Sequence, residues 1–371
     1  MKISTTGIYS ATAWIALGLV VLLISGCGTK DTEARQVVQK DGTAITVLDN
    51  TAESVYTSLK LERIDRIDEL RGMDWIDEDT LVVSRENRQL NPETIEGEAR
   101  YPRNLYRYEL ASASQSALVE GDHTYGSAQF SPDKRHMFYM ELYESTGMGY
   151  IMDMASGQSV KLDDKEFMMD EGVWADDAHV IYSDMEGAVK RADLKGASEA
   201  ILQVEGARAQ GAVQSGNVIY YIVGGEAGQQ LFAWDGDTKT TAMLSENVTS
   251  VLPSPDGSRL ALHKRIGPGK VELLLSDAEG KTLSTVASGM QVFGTNWSPD
   301  GSKLAYAVSE NGDQYRFFIM ELETGEQTEV LGNNDVSDQL QWSPSGKKLM
   351  IPTGELKDNV YKSTTYIINL S

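Results

Sequence analysis

A short pattern that recurs about every 40–45 residues constrains the fold of this chain more than any other feature. Each copy has an aromatic or apolar residue, then the turn sequence Ser-Pro-Asp-Gly or a variant, then an apolar run. The three clearest copies begin at Pro253, Trp297 and Trp342. Weaker copies begin at Trp75, Phe130, Trp174 and Val213. A period of this length is typical of the blades of a β-propeller.

The residues of each copy favour a hairpin. Proline fixes φ at the second turn position, aspartate supports the turn with its side chain, and glycine accepts a positive φ. A second strand pair follows in each unit, as in Phe317–Leu322 and Gln327–Leu331 around the turn Glu323–Gly325. Four strands make one blade, so the chain is predicted to be all-β, a seven-bladed propeller with six blades as the alternative.

The last blade lacks a strand, because the chain stops at Ser371 directly after the run Thr365–Leu370. An unpaired edge there would be open to aggregation. We expect the segment Ser58–Ile64 to supply the missing strand and close the ring. A helix over Leu59–Leu70 is the competing prediction, because this segment is rich in good helix formers.

The N-terminus has the layout of a secretory signal: Lys2, an apolar run over Ala11–Ile24, and small residues before Cys27. The stretch Ile24–Cys27 resembles the bacterial lipobox. The resemblance implies that residues 1–26 are a signal peptide and that Cys27 is acylated, which would anchor the chain in the lipid bilayer. The expected location is the extracytoplasmic face of the cell membrane. An uncleaved transmembrane helix is the alternative.

The predicted domains after the signal are a flexible tether over 27–56, with a short strand at Ala44–Leu48, and a propeller over 57–371. The sequence contains 33 Lys and Arg against 55 Asp and Glu, a formal net charge of −22. A surface this acidic repels phosphate backbones, so no nucleic-acid partner is expected.

The repeats beginning at Trp297 and Trp342 resemble those of the TolB-type β-propeller family. The resemblance covers about 300 residues and implies a propeller fold. It says little about activity, because one fold carries many functions. TolB itself has six blades and an additional α/β domain, and the present chain has no room for that domain.

No motif for catalysis, metal binding or cofactor binding is present in the sequence. The four histidines, His123, His136, His179 and His263, do not have the spacing of metal ligands. We interpret the repeated aspartates Asp133, Asp256 and Asp300 as turn residues. Four of the repeat aromatics, Trp75, Trp174, Trp297 and Trp342, are expected to pack between blades, and Phe130 holds the same repeat position. No catalytic residue, metal or cofactor is therefore predicted, and the chain is predicted not to be an enzyme.

Function is instead expected on the loops that crowd one face of the propeller. The longest is Arg85–Asn104, which concentrates basic residues in an acidic protein. The candidate binding residues are Arg85, Arg88, Tyr101, Arg103, Tyr143, Lys264 and Arg265. The leading hypothesis is an envelope scaffold that binds another envelope protein or a peptide. The alternatives are an enzyme acting on envelope carbohydrate and a sensor of a small molecule or cation.

Overall fold

The computed structural model describes residues 35–40, 43–48, 59–95, 98–225, 228–312, 314–357 and 360–371. The chain forms two compact units, residues 1–57 and 58–371. In the first unit, strands Arg35–Lys40 and Thr43–Leu48 pair as an antiparallel hairpin. The predicted strand at Ala44–Leu48 is therefore present, and its partner was not predicted. The signal peptide, Cys27 and most of the predicted tether lie outside the described residues.

The second unit is a seven-bladed β-propeller, as predicted. Each blade is an antiparallel sheet whose strands we name a to d, from the innermost to the outermost. Blades 1 to 3 contain strands Arg71–Trp75, Thr80–Glu86, Arg103–Glu109 and Ser114–Val119; Thr124–Phe130, His136–Tyr143, Thr146–Asp153 and Ser159–Lys161; and Val173–Trp174, His179–Ser183, Ala188–Asp193 and Ser198–Gln203.

The remaining blades follow the same order. Blades 4 to 7 contain Ala209–Ser215, Val218–Gly225, Gly228–Asp235 and Thr240–Glu246; Val248–Pro253, Arg259–Gly267, Lys270–Asp277 and Thr282–Gly289; Gln291–Trp297, Lys303–Ser309, Tyr315–Glu321 and Gln327–Asn334; and Gln341–Trp342, Lys348–Lys357, Val360–Leu370 and Leu61–Asp68. Strand Phe167–Met168 adds to strand c of blade 2, and a small hairpin pairs Glu93–Ile95 with Glu98–Arg100.

The N-terminal strand closes the ring. Leu61–Asp68 pairs antiparallel with Val360–Leu370 and becomes strand d of blade 7. The prediction of an N-terminal closing strand is confirmed, with the strand ending four residues later than expected. The helical alternative is wrong. Pairing with an open sheet edge satisfies the backbone of this segment, and this outweighs its local helix propensity.

The core consists of apolar layers between neighbouring blades. Between blades 6 and 7, for example, Phe317 and Ile319 pack with Leu349 and Ile351, all of them fully buried. Alternation along each strand sends successive side chains to opposite neighbours: Phe138 faces blade 3, and Tyr139 faces blade 1. The sequences of these strands are therefore nearly continuous apolar runs.

The four repeat tryptophans also join the blades by hydrogen bonds. In each case the indole Nε1–H donates to a backbone carbonyl in strand a of the preceding blade, directly before the repeat position there. The pairs are Trp75 to Gln341 (2.9 Å), Trp174 to Gln129 (3.1 Å), Trp297 to Leu252 (3.0 Å) and Trp342 to Asn296 (3.2 Å). Each bond satisfies the indole N–H of a ring that packs between two blades.

The topology sorts the connections onto two faces. The a–b and c–d turns lie on one face, which we call the turn face. The b–c loops and the connections between blades lie on the other, which we call the loop face. The repeat sequence Ser-Pro-Asp-Gly is always an a–b turn, so it belongs to the turn face.

Candidate functional site

The repeated aspartates hold the turns of the turn face. Asp256 accepts hydrogen bonds from Ser254 Oγ (2.6 Å) and from the backbone N of Ser258 (3.1 Å). These bonds, led by the Ser254 hydroxyl, lower the pKa of Asp256 to about 2. The same serine accepts a bond from Arg259 N at 3.0 Å, so one hydroxyl joins both ends of the turn. Carboxylates used in this way are structural groups.

The turns at Asp133 and Asp300 repeat this arrangement. Ser131 Oγ lies 2.7 Å from Asp133, and Ser298 Oγ lies 2.6 Å from Asp300. Burial opposes ionisation of Asp300, but the hydrogen bonds from Ser298 and Ser302 prevail and lower its pKa to about 2.

Neighbouring turns on the turn face touch one another. A Cβ added at Gly301 would lie 3.6 Å from Pro255 of the preceding blade, and one added at Gly346 would lie 3.6 Å from Pro299. Both glycines have φ near +70°, which other residues rarely adopt. Between blades 7 and 1, Ser345 Oγ donates to Glu78 at 2.9 Å. Tight turns of neighbouring blades are thus in contact with one another on the turn face.

The loop face carries the blade 1 insertion, and its ends differ from the prediction of a loop. Arg85 lies at the end of strand b, and Arg103 and Asn104 begin strand c. The small hairpin lies between these two strands in the chain. Arg85 lies over the Tyr106 ring at 4.6 Å. Arg103 donates to Ser84 through its side-chain Nε (3.2 Å) and Nη2 (2.9 Å). Both arginines are therefore held against their own sheet.

The other predicted binding residues lie in two places. Arg88 lies 6.0 Å from the centre of the Tyr101 ring, so these two residues meet at the base of the insertion. Lys264 and Arg265 lie on blade 5, within strand Arg259–Gly267 rather than in a loop, because this hairpin extends to a tight turn at Gly267 and Lys270. Lys264 donates to Ser245 at 3.1 Å. The structure brings together the blade 1 residues and leaves those of blade 5 apart.

Tyr143 belongs to a cluster at the loop-face end of blade 2, and sequence reasoning missed the rest of it. Its hydroxyl donates to Glu141. Tyr150 donates to the second oxygen of Glu141 at 3.2 Å, and His123 Nε2 lies 3.6 Å from the first. Burial and the Glu141 charge raise the pKa of Tyr150 to about 12, so it stays a donor. We call Glu141, His123, Tyr143 and Tyr150 the Glu141 cluster.

Two aromatic contacts extend the Glu141 cluster. Tyr139 stacks on Tyr150 with ring centres 5.4 Å apart, and Tyr125 meets Tyr139 edge-on at 6.0 Å. The alternation Tyr139, Glu141, Tyr143 along strand b places these three side chains on the same side of the sheet. This i, i+2 pattern is the signal from which the cluster could have been found.

The buried carboxylates of the described residues serve the backbone. Asp74 accepts from Phe130 N at 2.7 Å, across the joint between blades 1 and 2. Glu171 accepts from Ser183 N (3.0 Å) and Gly211 N (2.8 Å), which joins blades 3 and 4. Burial raises the pKa of Glu171. Asp184 accepts from Ala188 N at 2.8 Å. These three acids lie at separate places, and Asp184 shares Lys190 Nζ (3.4 Å) with Asp163 (2.7 Å).

The histidines occupy four separate surroundings. His136 and His179 begin strands, and His123 is part of the Glu141 cluster. His263 lies in strand b of blade 5. Its Nε2 lies 2.7 Å from Thr295 Oγ1, and burial lowers its pKa to about 4. Within the described ranges, no group of three His, Cys, Asp or Glu residues is placed to hold a metal ion.

Exposed apolar side chains also distinguish the loop face. Ten large hydrophobic side chains are exposed among the described residues. Six of them lie at the loop face: Tyr143, Met169, Met185, Ile266, Met290 and Phe293. The other four, Leu61, Ile64, Met243 and Leu283, lie on outermost strands. Three of the six are methionines, whose side chains can adapt their shape to a partner.

No helix in the part of the chain that the structure describes is long and apolar enough to cross a membrane. The apolar run Ala11–Ile24 lies outside that part.

Comparison with known proteins finds a sequence relative that matches a limited part of the chain. No protein-family model matches the sequence. Over 90 residues the chain is 30% identical to the Tol-Pal system protein TolB of Alcanivorax borkumensis. The aligned segment covers 24% of this chain and 21% of that protein. The match thus spans about a fifth of the length of its curated relative.

Solved structures share the architecture. An oligogalacturonate lyase from Vibrio parahaemolyticus superposes with a TM-score of 0.58 at 14% identity, over 84% of this chain and 97% of that one. An oligogalacturonate lyase in complex with manganese gives 0.56 at 16% identity, over 83% and 91%. The Cps50 (Swd1) propeller domain of Myceliophteria thermophila also gives 0.56, at 11% identity, over 85% and 100%. At these identities the similarity shows the propeller fold alone, and the chain is a β-propeller with local sequence similarity to TolB.

Proposed function

We propose that this chain is an envelope lipoprotein whose propeller binds another envelope protein or a peptide on its loop face. The observation that carries the proposal is the contrast between the two faces. Six of the ten exposed large hydrophobic side chains among the described residues lie at the loop face, which also carries the irregular blade 1 insertion. Local similarity to TolB supports an envelope location.

Affinity purification after crosslinking in membranes tests the binding role. The matched variant replaces Leu90–Arg100 with Gly-Gly, which removes the small hairpin but keeps Arg103 in place against Ser84. We expect a defined envelope protein with the wild type and its loss with the variant. Glu326→Gln, in a turn-face connection of blade 6, is the control and should retain the partner. Equal recovery with all three proteins would contradict a loop-face site on the insertion.

The lipid anchor is proposed from the lipobox-like stretch and has a separate test. Two acyl chains give stable membrane attachment, so a Cys27→Ala variant should leave the membrane fraction and lose incorporation of a fatty-acid label. Retention of the variant in the membrane, without label in the wild type, would favour the uncleaved transmembrane helix.

An enzyme acting on envelope carbohydrate is the second candidate, since propellers of two lyases share the architecture. Hydrolysis of glycosides needs two carboxylates at a defined separation, and Asp74, Glu171 and Asp184 each accept hydrogen bonds from backbone amides. Incubation of the purified protein with oligogalacturonate, with and without manganese, tests this candidate directly. Formation of unsaturated products would replace the binding proposal.

A further inference from the structure

The Glu141 cluster has the composition of a site for a cationic group. A carboxylate attracts a guanidinium or ammonium, and tyrosine rings attract the same groups through their electron-rich faces. Glu141 retains 13% of its side-chain exposure and His123 retains 55%, so the cluster is reachable from solvent. Tyr143 is 37% exposed. A carboxylate and rings are thus presented together at the surface.

The charges around the cluster lack a matching cation. Among the ion pairs between described residues, Glu141 is joined only to His123, and Asp122 and Glu166 take part in none. The cations of neighbouring segments are engaged elsewhere: the side chain of Arg103, whose backbone N donates to Thr124, binds Ser84, and Lys165 pairs with Glu186 at 2.6 Å. The surroundings of Glu141 are therefore negative as well as aromatic.

The geometry leaves acceptor capacity on Glu141. Two tyrosine hydroxyls bind one oxygen each, and the imidazole approaches the oxygen that Tyr143 also contacts. A carboxylate offers about four acceptor positions, so a donor from outside can still bind. The two hydroxyl groups also hold the carboxylate in a fixed orientation, which lowers the entropy lost on binding.

We propose that the Glu141 cluster receives an Arg or Lys side chain from an extended segment of a polypeptide partner. This inference rests on the proposed binding function and gives its chemistry. Charge complementarity between an acidic, aromatic cluster at the surface and a basic side chain selects this occupant. Met169 is exposed and directly follows strand Phe167–Met168, which pairs with Thr146 and Gly147 of blade 2. Its side chain therefore offers an apolar contact to the bound segment beside the cluster.

Fluorescence anisotropy with the full chain tests the proposal. The probes are two labelled nine-residue Gly/Ser peptides, one with a central Arg and one with citrulline, which keeps the shape but not the charge. We expect the Arg peptide to bind roughly tenfold more tightly, and Glu141→Gln to abolish the difference. Equal binding of the two peptides to the wild type, or an unchanged preference in Glu141→Gln, would overturn the proposal.

Two further variants separate the cluster from its surroundings. Glu144→Gln removes the same charge from an adjacent exposed position and should change the Arg preference less than about twofold, because screening weakens it. Tyr143→Ala should lower the preference, and Tyr143→Phe should keep most of it, since the ring remains. These exposed positions keep the test valid if Glu141→Gln does not fold. An effect of Glu144→Gln as large as that of Glu141→Gln would contradict a site defined by the Glu141 cluster.

The result can be distinguished from failure of the proposed function. Capture of a partner that is lost with the Leu90–Arg100 variant but unchanged in Glu141→Gln would refute the cluster and keep the binding role. Selective binding of the Arg peptide without any captured partner would keep the cluster and refute the scaffold. Competition by free arginine amide at the same concentration as the peptide would assign the cluster to a small cationic ligand and overturn the polypeptide occupant.

Discussion

The two faces of the propeller are made by the same strands but differ in the regularity of their connections. On the turn face, a serine and an aspartate hold each well-formed repeat turn, and neighbouring turns touch. On the loop face, the insertion of blade 1 and the long connection into blade 3 break the pattern, and exposed apolar side chains accumulate. The comparison indicates that stability is concentrated on one face, which leaves the other free to vary with a partner.

The largest expected difference between the faces comes from removing one aromatic side chain. Trp75 is fully buried at the turn-face end of strand a, and Trp75→Ala should lower the free energy of unfolding by about 3–5 kcal/mol. Phe293, at the loop-face end of strand a in blade 6, is 39% exposed, and Phe293→Ala should cost less than about 1 kcal/mol. Urea denaturation measures both. Similar losses for the two variants would remove the contrast.

The pH dependence of stability separates a group in the middle of blade 5 from the turn face. Burial lowers the pKa of His263 to about 4, so the unfolded chain takes up a proton first as the pH falls. Stability from this group is complete above about pH 6.5 and is lost as the pH falls towards 4, by up to about 3 kcal/mol. Asp256 and Asp300, with pKa values of about 2, contribute stability that is lost only below about pH 4.

Thermal unfolding between pH 4 and 7 checks this assignment. His263→Gln keeps a hydrogen-bonding group for Thr295 and should flatten the dependence in that interval. His179→Gln, at a partly exposed histidine beside Asp176, is the comparison variant for the loss of one histidine elsewhere in the propeller. Parallel curves for the wild type and His263→Gln would show that His263 is accessible to protons in the folded chain.

A smaller effect is expected from a single turn hydroxyl. Ser298 is fully buried, donates to Asp300 and accepts from Lys303 N at 2.9 Å. Ser298→Ala should lower the free energy of unfolding by about 1–2 kcal/mol, because two partners lose their bond. Ser302 also donates to Asp300 but is exposed, and Ser302→Ala should cost under about 0.5 kcal/mol. Chemical denaturation of both variants decides whether burial sets the difference.

The smallest effect on stability is expected from the insertion itself. Replacing Leu90–Arg100 with Gly-Gly shortens a surface connection and leaves the pair Glu86 and Arg103 intact. The free energy of unfolding should change by less than about 1 kcal/mol, since loop-closure entropy varies slowly with length. A melting temperature within a few degrees of the wild type would agree. A large loss would show that the insertion stabilises blade 1.

The fold was predictable because its determinants are local. Turns such as Ser298–Ser302 and the strands beside them are encoded within about ten residues, and the same turn sequence recurs in several blades. The closing strand was found by counting strands in blade 7. The candidate site was less accessible, because Glu141 meets His123 and Tyr150 only after three segments have paired. Arg85 and Arg103 looked like free basic residues, but they lie against Tyr106 and Ser84.

The closing strand has a consequence for the order of assembly. The antiparallel pairs within blades 1 to 6 join neighbouring segments, but the pair of Leu61 with Leu370 joins residues more than 300 positions apart. Contacts of such separation form late, because the entropy of bringing distant segments together must be met first. The six other blades can therefore form from local strand pairs, and the ring closes only when the first propeller strand pairs with the sheet of blade 7. Refolding should accordingly end in one slow step, to which residues Leu61–Asp68 contribute most.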